Sequence, residues 1–231
     1  MREKIDTKTI QADFDRIALL SSKTSAERWN HNNRYHRFLL EQVPTHCRNV
    51  LEIGCGGGEF ARLLAQRAEH VLALDLSPQM IQQAYKRSEH FANIDYQVAD
   101  ALSWKCPPEQ FDYIVSIATL HHLPREEILS KMKAALAPGG TLVVLDLYAA
   151  RFPDLFGALA TIPADLLMQL LKNRHRPKES QEARQAWVEH GKHDSYLGLW
   201  QVHQSCRAML PGAKVRRHLF WRYSIFWKKA Q

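Results

Sequence analysis

The run Val50-Leu51-Glu52-Ile53-Gly54-Cys55-Gly56-Gly57-Gly58-Glu59-Phe60 narrows the fold more than any other part of the chain. It reads as a buried strand that stops in a turn of glycines and restarts as a helix. Glycine lacks a Cβ and takes positive φ, so such a turn lets a ligand lie against main-chain atoms at a helix N-terminus. Twenty-one residues after Gly54, a second apolar strand, Val71-Leu72-Ala73-Leu74, ends in Asp75. An acid at the tip of that strand is placed to accept both hydroxyls of a ribose. Together these features predict a cofactor of nucleoside type.

The spacing disfavours a dinucleotide. That fingerprint sets its third glycine three residues after the second, and Glu59 stands there instead. Downstream, apolar runs alternate between strand and helix periods: strand 50–54, helix 57–67, strand 70–75, helix 78–88, strand 94–98, strand 111–117, helix 125–137 and strand 140–147. Such alternation implies a parallel sheet with helices on both faces. Ser77-Pro78 is a helix start, with Ser77 as N-cap, and Pro138-Gly139-Gly140 is expected to end the helix before the fifth strand. Residues 7–41 read as one or two helices, through Ile10, Phe14 and Ile17, then Tyr35, Phe38 and Leu39. An apolar helix (154–172), a polar connector and further helical stretches (180–209) interrupt the sheet pattern. Ala213 to His218 and Arg222 to Lys228 look like a closing antiparallel hairpin.

At 231 residues the chain suits one α/β domain with embellishments. The expected division is 1–46 as an N-terminal helical lid, 47–148 as the cofactor-binding core, 149–210 as a helical insert and 211–231 as the hairpin. The four cysteines have no C-x-x-C spacing, and the polar N-terminus has no signal-peptide pattern; both favour a cytoplasmic location. Leu155 to Leu171 is too short and broken to span a bilayer. The net charge of +7 comes from the chain after residue 150, the first part being close to neutral. A basic C-terminal third could meet nucleic acid, an anionic substrate or a membrane; a solvated basic surface accounts for it equally simply.

Glu52, the glycines and Asp75 are followed by Tyr96-Gln97-Val98-Ala99-Asp100-Ala101, then Phe111-Asp112-Tyr113-Ile114-Val115-Ser116, then Ala137-Pro138-Gly139-Gly140-Thr141-Leu142. In order and spacing these resemble the successive motifs of class I S-adenosylmethionine-dependent methyltransferases, over residues 47–148. The resemblance implies a Rossmann-like, seven-stranded, mostly parallel sheet with an antiparallel last strand inserted between the fifth and sixth. It implies S-adenosyl-L-methionine as cofactor. Gly54, Gly56 and Gly58 would flank its methionine part, and Asp75 would hold the ribose with Leu76 beside the adenine. Asp100 would accept from the adenine amino group, with the Ala101 amide facing a ring nitrogen. Glu52 would orient the glycine loop or meet the ammonium. Tyr35 or Asn33, in the cluster Trp29 to His36, would approach the methionine carboxylate or the acceptor. Each position also has a plainer use: a tight turn, a helix cap, a loop acid or a surface helix.

Ser116 to Leu123 occupies the end of strand four, where acceptor and methyl group meet, and Ser116 is expected among the cofactor-binding residues. Relatives that methylate amino groups of DNA and protein carry Asn/Asp-Pro-Pro-Tyr there, and this chain does not. RNA cytosine-C5 enzymes place catalytic cysteines after proline; Cys106 precedes Pro107. Leu120-His121-His122-Leu123 resembles small-molecule methyltransferases of the quinone-methylase type. His121 is the candidate general base for a phenol or thiol, its ordinary pKa lying near neutrality; shaping the pocket is the alternative. Adjacent histidines diverge in direction, so this pair is expected not to chelate. His190, His193 and Asp194 lack a supporting pattern, so no metal is expected.

The apolar residues Phe152, Leu155, Phe156, Leu159, Leu166, Leu167, Trp187 and Trp200 argue for an apolar or aromatic small-molecule acceptor. Three alternatives stand beside it: a quinone or lipid acceptor at a membrane surface, an RNA acceptor suggested only by the basic C-terminal third, and a non-catalytic cofactor-binding module. The acceptor atom and the oligomeric state stay open.

Overall fold

The computed structural model describes residues 6–21, 30–149 and 180–231, with single positions between 163 and 174. Seven strands, β1 (Cys47–Ile53), β2 (Ala68–Asp75), β3 (Ile94–Val98), β4 (Phe111–Ile117), β5 (Leu136–Leu147), β6 (Lys214–Arg217) and β7 (Arg222–Lys228), form one sheet in the order β3-β2-β1-β4-β5-β7-β6. β1 to β5 run parallel, and β7 lies antiparallel between β5 and β6.

The Val, Leu and Ile runs of β1, β2, β4 and β5 are buried on both faces because helices cover both sides. Alternate residues enter different cores. Leu51, Leu72 and Ile114 pack beneath α5 (Arg125–Ala135) and α7 (Leu199–Met209). Val50, Val71 and Val115 face α2 (Asn33–Leu40), α3 (Glu59–Leu64) and α4 (Pro78–Arg87). Tyr113 is wholly buried, and its hydroxyl donates to the Leu39 carbonyl at 2.9 Å, pinning α2 to the sheet.

Strand order reverses between β1 and β4, which opens a crevice at the carboxyl ends of the strands. Two helices cover it. α1 (Thr7–Ser21) packs on α4 and on α6 (Gln181–His193). Asp15 of α1 accepts from the Ser77 hydroxyl and from the Gln79 amide, while Arg16 pairs with Glu189 of α6.

Several expected boundaries shift, each for a physical reason. The third helix begins at Glu59, two residues late, because Gly58 is left-handed (φ +74) and forms its N-cap. The helix expected over 125–137 ends at Ala135, and Pro138-Gly139-Gly140 lies inside β5 rather than ahead of it. Leu136 pairs with Phe111 and Thr141 with Tyr113, so the register slips across this segment. Pro138 has no N–H for the ladder and Gly139 is left-handed, so the strand bulges instead of stopping. Ser77 caps α4 as expected, accepting from the Met80 amide at 3.1 Å. Most of the apolar helix expected over 154–172 lies outside the described residues; positions 163, 166, 167, 170 and 171 are helical, with Leu166, Leu167, Leu170 and Leu171 exposed.

The C-terminal hairpin turns Tyr223 and Trp227 of β7 inward and leaves Trp221 of its turn exposed. Trp227 and Tyr223 are buried, and Trp227 Nε1 donates to the Pro211 carbonyl at 2.9 Å. Its basic residues Lys214, Arg216 and Arg217 are exposed on the edge strand β6, where charge discourages edge-to-edge pairing. Among the described residues, no helix is long and apolar enough to cross a membrane.

Candidate active site

A cavity of about 600 Å³ runs along the carboxyl ends of β1, β2 and β4 beneath α1 and α6. One half is built by the glycine turn. Gly54, Gly56 and Gly58 all have positive φ. A Cβ on Gly54 would sit 2.0 Å from Thr119 Oγ1, so the turn after β1 presses directly on the loop after β4. Thr119 follows Ala118, which is itself left-handed (φ +50). Gly58 serves packing: a Cβ there would meet the Tyr96 hydroxyl at 2.3 Å. It does not line the cavity, whereas Gly54, Gly56 and Gly57 do.

Asp75 holds this turn in place. Its carboxylate accepts from the Gly56 amide at 2.8 Å and the Ser77 amide at 2.9 Å. Burial raises its pKa against the lowering effect of those bonds. A carboxylate has about four acceptor sites, so capacity remains for a hydroxyl donor beside these amides. Glu52 is buried on β1, and its Oε2 has no hydrogen-bond partner among the described residues. Burial, reinforced by Asp75, raises its pKa well above the usual carboxylate range. Leu76, Asp100 and Ala101 line the same half, with Asp100 Oδ1 accepting from the Leu102 amide at 3.0 Å.

Two expected site residues lie elsewhere. Tyr35 is buried in the core, its hydroxyl donating to the Leu219 carbonyl at 3.0 Å, and it does not line the cavity. Ser116 is wholly buried and donates to the Ile53 carbonyl at 2.9 Å, tying β4 to β1. Asn33 instead pairs with Glu59. From this N-terminal segment Asn30, Asn32 and His36 reach the cavity. Asn32 Oδ1 accepts from Arg222 Nε at 2.8 Å, and burial pushes the His36 imidazole down to about 4.

The other half of the cavity is aromatic and rich in histidine. Phe14, His121, His122, Trp187, His190 and Tyr196 line it. His121 Nδ1 stands 2.6 Å from Asp146 Oδ1 of β5. Burial acts to lower the His121 pKa, but the Asp146 charge and hydrogen bond outweigh it, and the net shift is upward. Arg125 donates to the Tyr223 hydroxyl at 3.0 Å, behind Asp146. The tight turn at Leu120–His122 does not splay the two histidines as expected. Their rings lie 3.9 Å apart, and both face Asp194. Burial, with the two neighbouring imidazoles, pushes His122 down to about 2. His193 lies apart from this group, with its Nδ1 2.8 Å from Asp13.

Asp146 and Tyr196 escaped the sequence reading, and Asp194 was weighed only beside His190 and His193, not with His121 and His122. Asp146 did carry a signal, the same one as Glu52: an acid inside an apolar strand, which needs a partner. Tyr196 lies in the loop after α6, where spacing gives no indication; Asp194, four residues after His190, does face it. Of the apolar residues expected around the acceptor, Trp187 lines the cavity, whereas Leu166, Leu167 and Trp200 are exposed and do not. Phe152, Leu155, Phe156 and Leu159 lie outside the described residues.

The comparisons with known proteins agree on one family. A protein-family model described as "Methyltransferase domain" matches residues 50–140. An uncharacterized methyltransferase of Mycobacterium bovis is 32% identical over 203 residues, covering 87% of this chain and 96% of that protein. A ubiquinone biosynthesis O-methyltransferase of Xylella fastidiosa is 31% identical over 163 residues, covering 66% and 63% respectively. Among solved structures, phosphoethanolamine N-methyltransferase 2 of Haemonchus contortus, in complex with phosphomonomethylethanolamine and S-adenosylhomocysteine, superposes with a TM-score of 0.69 at 16% identity. That match covers 96% of this chain and 60% of the other.

Proposed function

Because the chain belongs to the class I S-adenosylmethionine-dependent methyltransferases, we propose that it methylates a small molecule whose acceptor atom is an acidic O–H or S–H. The observation carrying this reading is the continuity of the cavity, whose glycine-and-acid half opens directly into the histidine-and-aromatic half. Its volume of about 600 Å³ lies in the ordinary range for small-molecule sites.

The residues fit the cofactor. Left-handed Gly54 and Gly56 bring backbone to the cavity wall, and the unpartnered Glu52 Oε2 suits the cofactor's ammonium. Asp75 would accept the ribose hydroxyls, Asp100 and the Ala101 amide would meet the adenine edge, and Leu76 would pack beside its ring. S-adenosylmethionine, when bound, supplies an already activated methyl group. The protein's task is then alignment and exclusion of water. α1 and α6 close the cavity over both halves. His121, its Nδ1 fixed by Asp146, presents Nε2 as the group through which the acceptor loses its proton. The ubiquinone O-methyltransferase likeness supports a phenol-like acceptor, and the Phe14 and Trp187 rings suit one.

A membrane-surface or RNA acceptor has less support here. The aromatic residues of the hairpin are mostly buried, and its basic residues lie on the sheet edge. The test is a screen of phenols, thiols, carboxylic acids, amines and short RNAs with a labelled methyl donor. Transfer to phenols or thiols, weakened in His121→Gln with cofactor affinity kept, supports the proposal. Transfer only to amines or RNA contradicts it.

A further inference from the structure

At the far end of the acceptor half, three imidazoles converge on one carboxylate oxygen. Asp194 Oδ1 lies 3.5 Å from His122 Nδ1, 3.5 Å from His190 Nε2 and 3.8 Å from His121 Nε2. All four side chains are nine-tenths or more buried, between 4% and 6% exposed. These separations are too long for hydrogen bonds of useful strength. Among the described residues, Asp194 Oδ1 and both ring nitrogens of His122 have no hydrogen-bond partner. A buried carboxylate oxygen and a buried imidazole left in that condition are costly, and native proteins rarely keep them without a use.

A cation accounts for the spacing. Donors bound at roughly 2.0–2.2 Å in near-tetrahedral array stand about 3.2–3.6 Å from one another, close to what is seen. The supporting shell is also present. His121 Nδ1 is held by Asp146 at 2.6 Å and His190 Nδ1 by Asp13 at 3.2 Å. A carboxylate on one ring nitrogen fixes the tautomer and leaves the other nitrogen a lone pair for a metal. Tyr196 donates to Asp194 Oδ2 at 2.5 Å, which directs Oδ1 toward the histidines.

We propose that His121 Nε2, His122 Nδ1 and Asp194 Oδ1 ligate a divalent first-row transition cation of the zinc type inside the acceptor cavity. These three residues have ligand atoms within 4.8 Å of one another, and His190 Nε2 stands beside them. Two imidazoles and a carboxylate are a borderline donor set that suits Zn²⁺ and its neighbours rather than Mg²⁺ or Ca²⁺. Three protein ligands leave a position for an acceptor oxygen or sulfur, as in catalytic zinc sites. The proposal rests on the histidine half being the acceptor site, and it refines the role of His121. With its Nε2 on a bound cation, His121 would serve as a ligand in place of the base, and the cation would supply the acidification of the acceptor.

The test uses the full chain, stripped with chelator and titrated with Co²⁺ by visible absorption and with Zn²⁺ by calorimetry. S-adenosylhomocysteine is titrated in parallel. One equivalent of Co²⁺ with the intense bands of a four- or five-coordinate ion, displaced by Zn²⁺, is expected. His122→Gln and Asp194→Asn should each abolish that equivalent while S-adenosylhomocysteine affinity stays within about twofold. Asp146→Asn should weaken it about 10–100-fold, as a supporting residue does. No bound Co²⁺, or binding that persists unchanged in both ligand variants, overturns the site. Should a variant misfold, X-ray absorption of the Zn²⁺-loaded wild type decides. Imidazole and oxygen ligands support the site, and a sulfur-containing shell overturns it. Loss of S-adenosylhomocysteine binding by the wild type would instead refute the cofactor reading.

Discussion

Replacing Gly54 by alanine tests how the turn after β1 builds the site. At φ +77 a residue with a Cβ incurs roughly 1–2 kcal/mol of strain. The new atom would also lie 2.0 Å from Thr119 Oγ1, 2.6 Å from Cγ2 and 2.8 Å from Cβ. The whole Thr119 side chain must therefore move, which costs about 1–3 kcal/mol when a close-packed site is overfilled. Together the two effects predict a loss of about 2–5 kcal/mol in stability and weaker S-adenosylhomocysteine binding. The two effects separate in a double-mutant cycle. Thr119→Gly removes every overlapping atom at the cost of its bond to the Ile117 carbonyl at 3.0 Å, about 0.5–1.5 kcal/mol. In Gly54→Ala/Thr119→Gly the overlap vanishes and the backbone strain remains. Urea unfolding of the four proteins should show a favourable coupling of about 1–3 kcal/mol. A Gly54→Ala protein within about 0.5 kcal/mol of wild type, or strictly additive substitutions, would refute the reasoning.

If Glu52 holds the ammonium as proposed, Glu52→Gln should weaken S-adenosylhomocysteine binding by about tenfold or more; calorimetry at neutral pH checks this. The same variant should stabilise the cofactor-free protein above pH 5. Glu52 has a raised folded pKa, so its contribution is full below the unfolded value and is lost as pH rises toward the folded one. Thermal unfolding against pH, wild type against variant, reads that difference. His36 has the opposite sign. Its folded value of about 4 lies below the ordinary 6.5, so its contribution is full above pH 6.5 and fades toward pH 4, at no more than about 1.4 kcal/mol per pH unit. His36→Gln should flatten the acid limb of the stability curve over that window, and an unchanged limb would exclude His36 as its source.

Much of the cofactor half was legible because its signals are local. The continuous apolar runs ending at Gly54 and Asp75, and the glycines between them, state strand, turn and helix in contiguous residues. The Asp75–Gly56 bond joins elements already paired as neighbouring parallel strands. The acceptor half depends on distant contacts. Asp146 meets His121 across the β4–β5 pair, which no spacing announces, and Asp194 reaches His121 and His122, not only its near neighbour His190, from the loop after α6. Tyr35 was misplaced because its aromatic, polar surroundings serve packing: its hydroxyl crosses to the Leu219 carbonyl, 184 residues away. Pro138-Gly139-Gly140 was misplaced because proline and glycine break a ladder as readily as they end a helix, and here they bulge β5. The histidine pair converges because a tight turn, rather than an extended strand end, carries it.

Calorimetric titration of S-adenosylhomocysteine into the wild type and Asp75→Ala tests the central claim most directly. The structure predicts one-to-one, micromolar binding to the wild type, no comparable binding of NADH, and loss of affinity when Asp75 releases both the ribose and the Gly56 amide. A wild type that does not bind, or an Asp75→Ala protein that binds undiminished, would contradict it.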